Sequence, residues 1–175
     1  MVEGIILLLL KSMYFFLPGY VANMSPVLFR WIPLGDRAIS EKFLGSHKTW
    51  RGLIVGIIMG GIIFSLQKYL YVTEFKLWAI IDYGDFSPVL GFLMGLGALV
   101  GDAVKSYYKR KGGLKPGERW FPYDQIDFVI GGIIFSWFVY VPQAEVVLIL
   151  LLVTPILHIV VNHIGYWLRI RESKW

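Results

Sequence analysis

The sequence predicts an all-α fold: a polytopic membrane helix bundle of about five transmembrane helices, with residues 1–175 forming one integral membrane domain. Five apolar runs stand at about 3–22, 52–72, 88–108, 125–142 and 146–168, close to the ~20 residues that a helix needs to cross the bilayer core. The chain is 57% hydrophobic, with a mean hydropathy of +0.63. Of its 17 Lys and Arg residues, 14 fall on alternate connections and the tail. Spans and connections use up the chain and leave no length for a separate soluble domain.

The first run, MVEGIILLLLKSMYFF, lacks a basic leader and a small-residue cleavage site, so it is expected to stay as a span rather than act as a signal peptide. Pro18-Gly19 should kink it or end it early. Loop 1, about 23–51, carries Arg30, Arg37, Lys42, Lys48 and Arg51. Within it, DRAISEKFLG (36–45) reads as a short interfacial helix with Asp36 as N-cap and Gly45 just past its end. SHKTWRG then leads into the second span, where Lys48 and Arg51 suit either a membrane anchor or a ligand site.

The second and third spans carry glycine rows, Gly52, Gly56 and Gly60, then Gly91-Gly95 and Gly97-Gly101. Such rows let helices approach closely in lipid. Packing within one bundle is the simpler use, and a homodimer seam stays open. The connection after the second span is acidic (Glu74, Asp82 and Asp85 against Lys76). Loop 3 holds Lys105, Lys109, Arg110, Lys111, Lys115 and Arg119, and the tail adds Arg169, Arg171 and Lys174. Basic residues mark the cytoplasmic side, which places the N-terminus outside and the C-terminus inside. Two functional cytoplasmic loops result, about 23–51 and 109–124. Pro142-Gln143-Ala144-Glu145 joins the last two spans as antiparallel neighbours, and Thr154-Pro155 should bend the fifth.

With no cysteine, disulfide and thiolate chemistry are excluded. No Walker A loop or GxGxxG stretch is present, and no nucleic-acid partner is expected. Asp102, Ser106 and Lys109 lie at i, i+4 and i+7 on one helical face, with Lys105 flanking that stripe. Asp102 sits a turn inside an apolar run, where an ionisable group is costly without a partner. Alone, Asp124 and Asp127 would read as an acidic N-cap and its companion at N3. Beside six basic residues and Gly112-Gly113, the three carboxylates instead look like hard oxygen ligands for Mg²⁺ next to phosphate-binding cations. That is the equipment of phosphoryl or nucleotidyl transfer. His158, Asn162 and His163 in the fifth span are expected to pack or to hydrogen-bond between helices.

The pattern Gly101-Asp102, Ser106, Lys109-Arg110, Lys115 and Asp124-x-x-Asp127 resembles the signature of the membrane phosphatidate cytidylyltransferases. That family carries a Lys-Asp pair and a His-Gly-Gly stretch where this chain has Lys115-Pro116-Gly117 and ERWFPYDQID. LPGYVANMSPVL (17–28), KTWRG (48–52) and residues 101–132 resemble its archaeal branch, the CDP-archaeol synthases. The resemblance implies transfer of the cytidylyl group of CTP to an ether-lipid phosphate in the cell membrane, with the active site on the cytoplasmic side. It also implies Mg²⁺ on Asp102, Asp124 and Asp127, with Lys109, Arg110 and Lys115 gripping phosphates. Ser106 would bind substrate, and Lys48, Thr49 and Arg51 would close the site from loop 1. Asn23 and Gln125 would add polar contacts.

Four rival readings differ in class or substrate, and one of them, a purely structural membrane scaffold, leaves Asp102 unexplained. A small transporter would place its polar groups near the bilayer midplane in repeated halves, whereas these crowd one face. A CDP-alcohol phosphotransferase lacks support because its aspartate-rich motif is absent. A cytidylyltransferase acting on ester lipids shares the chemistry and differs only in substrate.

Overall fold

The computed structural model describes residues 2–33, 35–115 and 118–169. Pro116-Gly117 and the tail residues Arg171 and Lys174 lie outside the described residues. Among these, the chain is all helical: α1 (Val2–Phe15), α2 (Leu17–Leu28), α3 (Glu41–Leu44), α4 (Trp50–Val72), α5 (Val89–Lys111), α6 (Tyr123–Ser136) and α7 (Ala144–Trp167). Helices α4, α5 and α7 are each long and apolar enough to cross a membrane, and the bent pair α1–α2 makes a fourth crossing if it counts as one span.

The break between α1 and α2 falls at Phe16, where the axis bends by 50°. The sequence placed it two residues later, at Pro18-Gly19. Pro18 instead opens α2, where its missing N–H costs no helical hydrogen bond. The Phe16 ring folds over Gly19, where a Cβ would come within 2.5 Å of it. Pro155 leaves α7 unbroken from Ala144 to Trp167.

The fourth apolar run is helical for only 14 residues. At 1.5 Å per residue that is about 21 Å, short of the roughly 30 Å hydrocarbon core. The Ser136 hydroxyl donates to the Ile133 carbonyl at 2.7 Å. The N–H groups of Val139 and Tyr140 both turn back to Ser136 O, and Pro142 cannot extend the ladder. Apolar character continues past the helix, which is why the run looked longer.

Glycine rows set the spacing of α4, α5 and α6. A Cβ on Gly60 would lie 2.6 Å from the Gly91 carbonyl and 3.0 Å from Gly95 Cα, so α4 and α5 touch backbone to backbone. The row is used inside this chain.

Loop 1 differs from its expected form. Its helix is only Glu41–Leu44, preceded by Ser40, and Asp36 caps nothing. Residues 35–39 are instead drawn out along 48–51. Ala38 bridges Thr49 antiparallel, and the N–H groups of Ile39, Trp50 and Arg51 donate to Lys48, Arg37 and Gly35 carbonyls at 2.7, 3.1 and 2.8 Å. Asp36 pairs with Arg51 at 2.6 Å. Phe43 of α3 meets Tyr107 of α5, so the loop lies folded against α5 and delivers Lys48 to it.

Candidate active site

The site forms where α5 and α6 lie closest. A Cβ on Gly101 would strike the Asp127 carbonyl, and one on Gly131 would reach 2.9 Å from Gly101 Cα. Side chains that follow these glycines therefore face one another at short range. Asp102 of α5 comes to share a space with Asp124 and Asp127 of α6.

The Lys105 ammonium stands among these three carboxylates, 2.9 Å from Asp102 Oδ1, 3.2 Å from Asp124 Oδ1 and 3.0 Å from Asp127 Oδ2. The contact to Asp127 is one of charge rather than an aligned hydrogen bond. Lys48 reaches across from loop 1 to pair with Asp102 Oδ2. Lys109, one turn beyond Lys105, donates to both Asp124 oxygens at 2.9 and 3.1 Å and to the Glu118 carbonyl. The Trp120 N–H also donates to Asp124 at 2.5 Å. Three carboxylates thus face three ammonium groups, and the cluster is balanced in charge.

Asp124 stands ahead of the apolar part of α6. Burial opposes its ionised form, but the Lys109 hydrogen bond, the Trp120 N–H and the nearby ammonium charges outweigh that and hold it below the ordinary aspartate range. It does not serve as a helix cap. Pro122 occupies the N-cap position of α6 with no side-chain cap bond, and the Asp124 carboxylate is turned to Lys109 instead.

The residues singled out from the sequence fall into three groups. Lys48, Asp102, Lys109, Asp124 and Asp127 meet in this cluster. Arg110 and Gln125 are near it in sequence: among the described residues, Arg110 Nε and Nη1 and Gln125 Oε1 are buried without a hydrogen-bond partner. The rest are engaged elsewhere. Thr49 caps α4, accepting from the Gly52 N–H at 3.1 Å, and Arg51 holds Asp36 and the Ile32 carbonyl. Ser106 donates back to the Asp102 carbonyl at 2.8 Å within its own helix. Lys115 is exposed, and Asn23 lines an apolar groove.

Lys105, which the sequence places only beside the Asp102–Ser106–Lys109 stripe, is the cation at the centre of the cluster. Its spacing was a usable signal, because i+3 from Asp102 lies on the same face as i+7. The stripe through Ser106 fitted equally well by count.

The donor set suits a hard divalent cation, being three carboxylates converging from two helices. Among the described residues, however, no three acidic or His side chains are disposed to hold an ion as they stand. The Lys105 ammonium lies at the point on which they converge.

The groove lies beside the cluster, between α1–α2 and α7. It encloses about 560 Å³ and is lined by Leu10, Leu17, Val21, Leu157 and Val161. Phe128, the residue after Asp127, forms part of its wall. The His158 Nδ1 and Asn162 Nδ2 pair at 3.2 Å within α7, and both residues line the groove.

Buried ion pairs gather at one end of an apolar helix bundle with an apolar groove alongside, an arrangement whose class is given by its similarity to an intramembrane enzyme. A solved structure described as an intramembrane enzyme for archaeal membrane lipids biosynthesis superposes with a TM-score of 0.67. It shares 26% identity, over 86% of this chain and 92% of that one. The family model described as CarS-like, CDP-archaeol synthase, matches residues 5–175. The CDP-archaeol synthase of Methanocaldococcus jannaschii is 35% identical over 96% of this chain and 98% of its own length. That of Methanopyrus kandleri is 36% identical over 94% and 92%. This chain belongs to the CDP-archaeol synthase family.

Proposed function

We propose that this chain, a CTP-dependent cytidylyltransferase by family, works on an unsaturated archaetidic acid, 2,3-di-O-geranylgeranylglycerol phosphate, and releases CDP-archaeol and pyrophosphate. It would do so at the cytoplasmic face of the cell membrane, in a five-crossing topology with the N-terminus outside and α6 completing the fourth crossing. The observation that carries the assignment of the site is the meeting of Lys48 from loop 1 with the carboxylates of α5 and α6.

A lipid-phosphate oxygen attacks the α-phosphorus of CTP. The new P–O–P bond forms as the bond to the β-phosphate oxygen breaks, and pyrophosphate leaves. The monoester is already anionic, so no strong general base is required, and the barrier lies in bringing two polyanions together. Asp102, Asp124 and Asp127 would hold Mg²⁺, which when bound supplies charge neutralisation for the departing pyrophosphate. Arg110, whose Nε and Nη1 are buried without hydrogen-bond partners among the described residues, would take phosphate oxygens in its planar fork. Lys109, which donates to the Asp124 carboxylate and the Glu118 carbonyl, would hold the two in fixed relation beside the site. Lys48 ties loop 1 to Asp102 and so closes the opposite wall. The groove beside Phe128 would take the isoprenoid chains, with Asn23 as a polar residue of its lining.

The test is direct. Purified full-length protein in lipid nanodiscs receives labelled CTP, Mg²⁺ and either ether- or ester-linked lipid phosphate. Labelled CDP-lipid from the ether substrate, with matching pyrophosphate, is the expected result. Product from the ester lipid at equal or greater rate would shift the assignment to a phosphatidate cytidylyltransferase, and no CDP-lipid from either would remove it.

A further inference from the structure

The position of Lys105 calls for its own explanation. A lysine that only offset one aspartate would need one partner, whereas this ammonium contacts three carboxylates from two helices, all within 3.2 Å. It therefore sits where a cation shared by those carboxylates would sit. Its partners are not equally dependent on it. Asp102 keeps Lys48, and Asp124 keeps Lys109 and the Trp120 N–H, if Lys105 is withdrawn. Asp127 has Lys105 as its ion-pair partner among the described residues. Its side chain, at 7% exposure, is the least exposed of the three carboxylates.

We propose that Lys105 is a built-in counter-cation, which holds the carboxylates together in the nucleotide-free enzyme and is displaced from them when a divalent metal enters with the nucleotide. The inference rests on the metal-dependent reading of the site given above. A lysine suits the task because its ammonium is a compact charge on a flexible stem and can swing away from α6 without any backbone movement. Once displaced it carries its positive charge toward the phosphates of the incoming nucleotide. Displacing it costs binding energy that the metal alone does not recover, because one cation merely replaces another. A metal arriving with a triphosphate recovers it, since the freed ammonium then gains an anion. The site thereby favours the metal–nucleotide complex over the bare ion. Lys105 acts as a positioning residue that sets when the carboxylates are free to bind.

The experiment measures Mn²⁺ binding to the full-length chain in detergent, by electron paramagnetic resonance of free Mn²⁺, with and without CTP and with no lipid present. Wild type is expected to bind Mn²⁺ alone weakly and much more tightly with CTP. Lys105→Met should bind Mn²⁺ alone at least about tenfold more tightly, and CTP should add far less to its affinity. Without metal its melting temperature should fall on the order of 10 °C, because breaking a buried pair leaves charge uncompensated, and Mn²⁺ should restore it.

The charge-balanced Lys105→Met/Asp127→Asn protein should recover the metal-free melting temperature and lose the extra affinity. It therefore also answers for a single variant too unstable to purify. If Lys105→Met binds Mn²⁺ no more tightly than wild type, the counter-cation proposal fails and the metal site stands. A wild-type protein that binds no Mn²⁺ even with CTP overturns the metal reading and this inference with it. Failure of the double variant to regain stability sinks the charge-balance basis of the proposal alone.

Discussion

The two ends of the α4–α5 hairpin are held by opposite kinds of interaction. At the end away from the site, residues 73–88 do not simply turn between helices. They insert Tyr83, fully buried, among Tyr14, Phe64 and Tyr71 with ring centroids 5.8, 5.4 and 6.0 Å away. Trp78 packs edge-on to Tyr14, and the Gln67 side chain donates to the Tyr14 carbonyl. At the other end, Lys48, Lys105 and Lys109 face Asp102, Asp124 and Asp127. Buried aromatic area stabilises a fold whatever ligand is present. Buried ion pairs contribute little net stability after desolvation and are strongly destabilising when one partner is lost. The aromatic end therefore acts as a clamp, whereas the charged end contributes little net stability for what its burial costs.

Substitutions that separate the two roles can break this contrast. The largest effect is expected for Asp102→Asn, which should reduce cytidylyl transfer by roughly 10²–10³-fold, the scale of losing one electrostatic stabiliser of a transition state. Its melting temperature should fall as well, because Lys48 and Lys105 lose a shared partner, so turnover is compared per folded molecule. Asp124→Asn and Asp127→Asn should resemble it, and a pair of such changes should be no worse than the poorest single, because the groups act as a unit. Near-normal turnover in any of the three would withdraw that residue from the site.

Tyr83→Ala should do the reverse. Removing a fully buried ring from the far end should destabilise the protein by about 3–5 kcal/mol, while turnover per folded molecule stays within about twofold at a temperature where the variant is folded. A specific loss of turnover would mean that the clamp also sets the geometry of the carboxylates, and the contrast would dissolve.

Lys48→Met tests the link between loop 1 and α5. Turnover should fall about tenfold or more, as for loss of a charge-assisted contact. Limited proteolysis should then find loop 1 cut faster, and CTP with Mg²⁺ should no longer protect loops 1 and 3 together. Equal protection in wild type and variant would remove Lys48 as the tie.

The two ends should also lie on opposite sides of the membrane. A cysteine at Ser46 or Lys111 should react with an impermeant thiol reagent only from the cytoplasmic side, and one at Asp85 only from outside. All three positions are exposed. Labelling of Asp85→Cys from the cytoplasm would overturn the topology. The smallest effect is expected at Thr49, whose hydroxyl caps α4. Thr49→Ala should lose about 1 kcal/mol of stability and leave KM for CTP within about twofold, with Thr49→Ser restoring stability. A large rise in KM would make Thr49 a ligand.

Much of this was legible before the fold was seen, and the parts that were not share a cause. Apolar run length located α4, α5 and α7 to within about three residues at each end, because crossing hydrocarbon imposes length directly on sequence. The lone Asp102 inside such a run stood out by its cost, and the structure gives it Lys48 and Lys105 as partners. Run length misjudged α6, since apolar side chains continue where hydrogen bonding at Ser136 and Pro142 ends the helix. Propensity also misread residues 36–39 as the start of the loop helix, which begins only at Glu41, because the pull that extends them comes from residues 48–51, a tertiary contact that overrides local preference.

The sequence by itself determined which segments are apolar enough to enter a membrane, which connections carry the cations, and which three acids stand at a polar boundary. Those properties are summed along one chain segment, and periodicity reports them faithfully. Only the tertiary structure decided that Lys105 occupies the centre of the carboxylates, that Arg51 is given to Asp36, and that Tyr83 plugs the far end. Each depends on what a second element brings within about 3–6 Å. A helix's own pattern says which face a residue is on, and the glycine contacts of α5 with α6 say what that face meets.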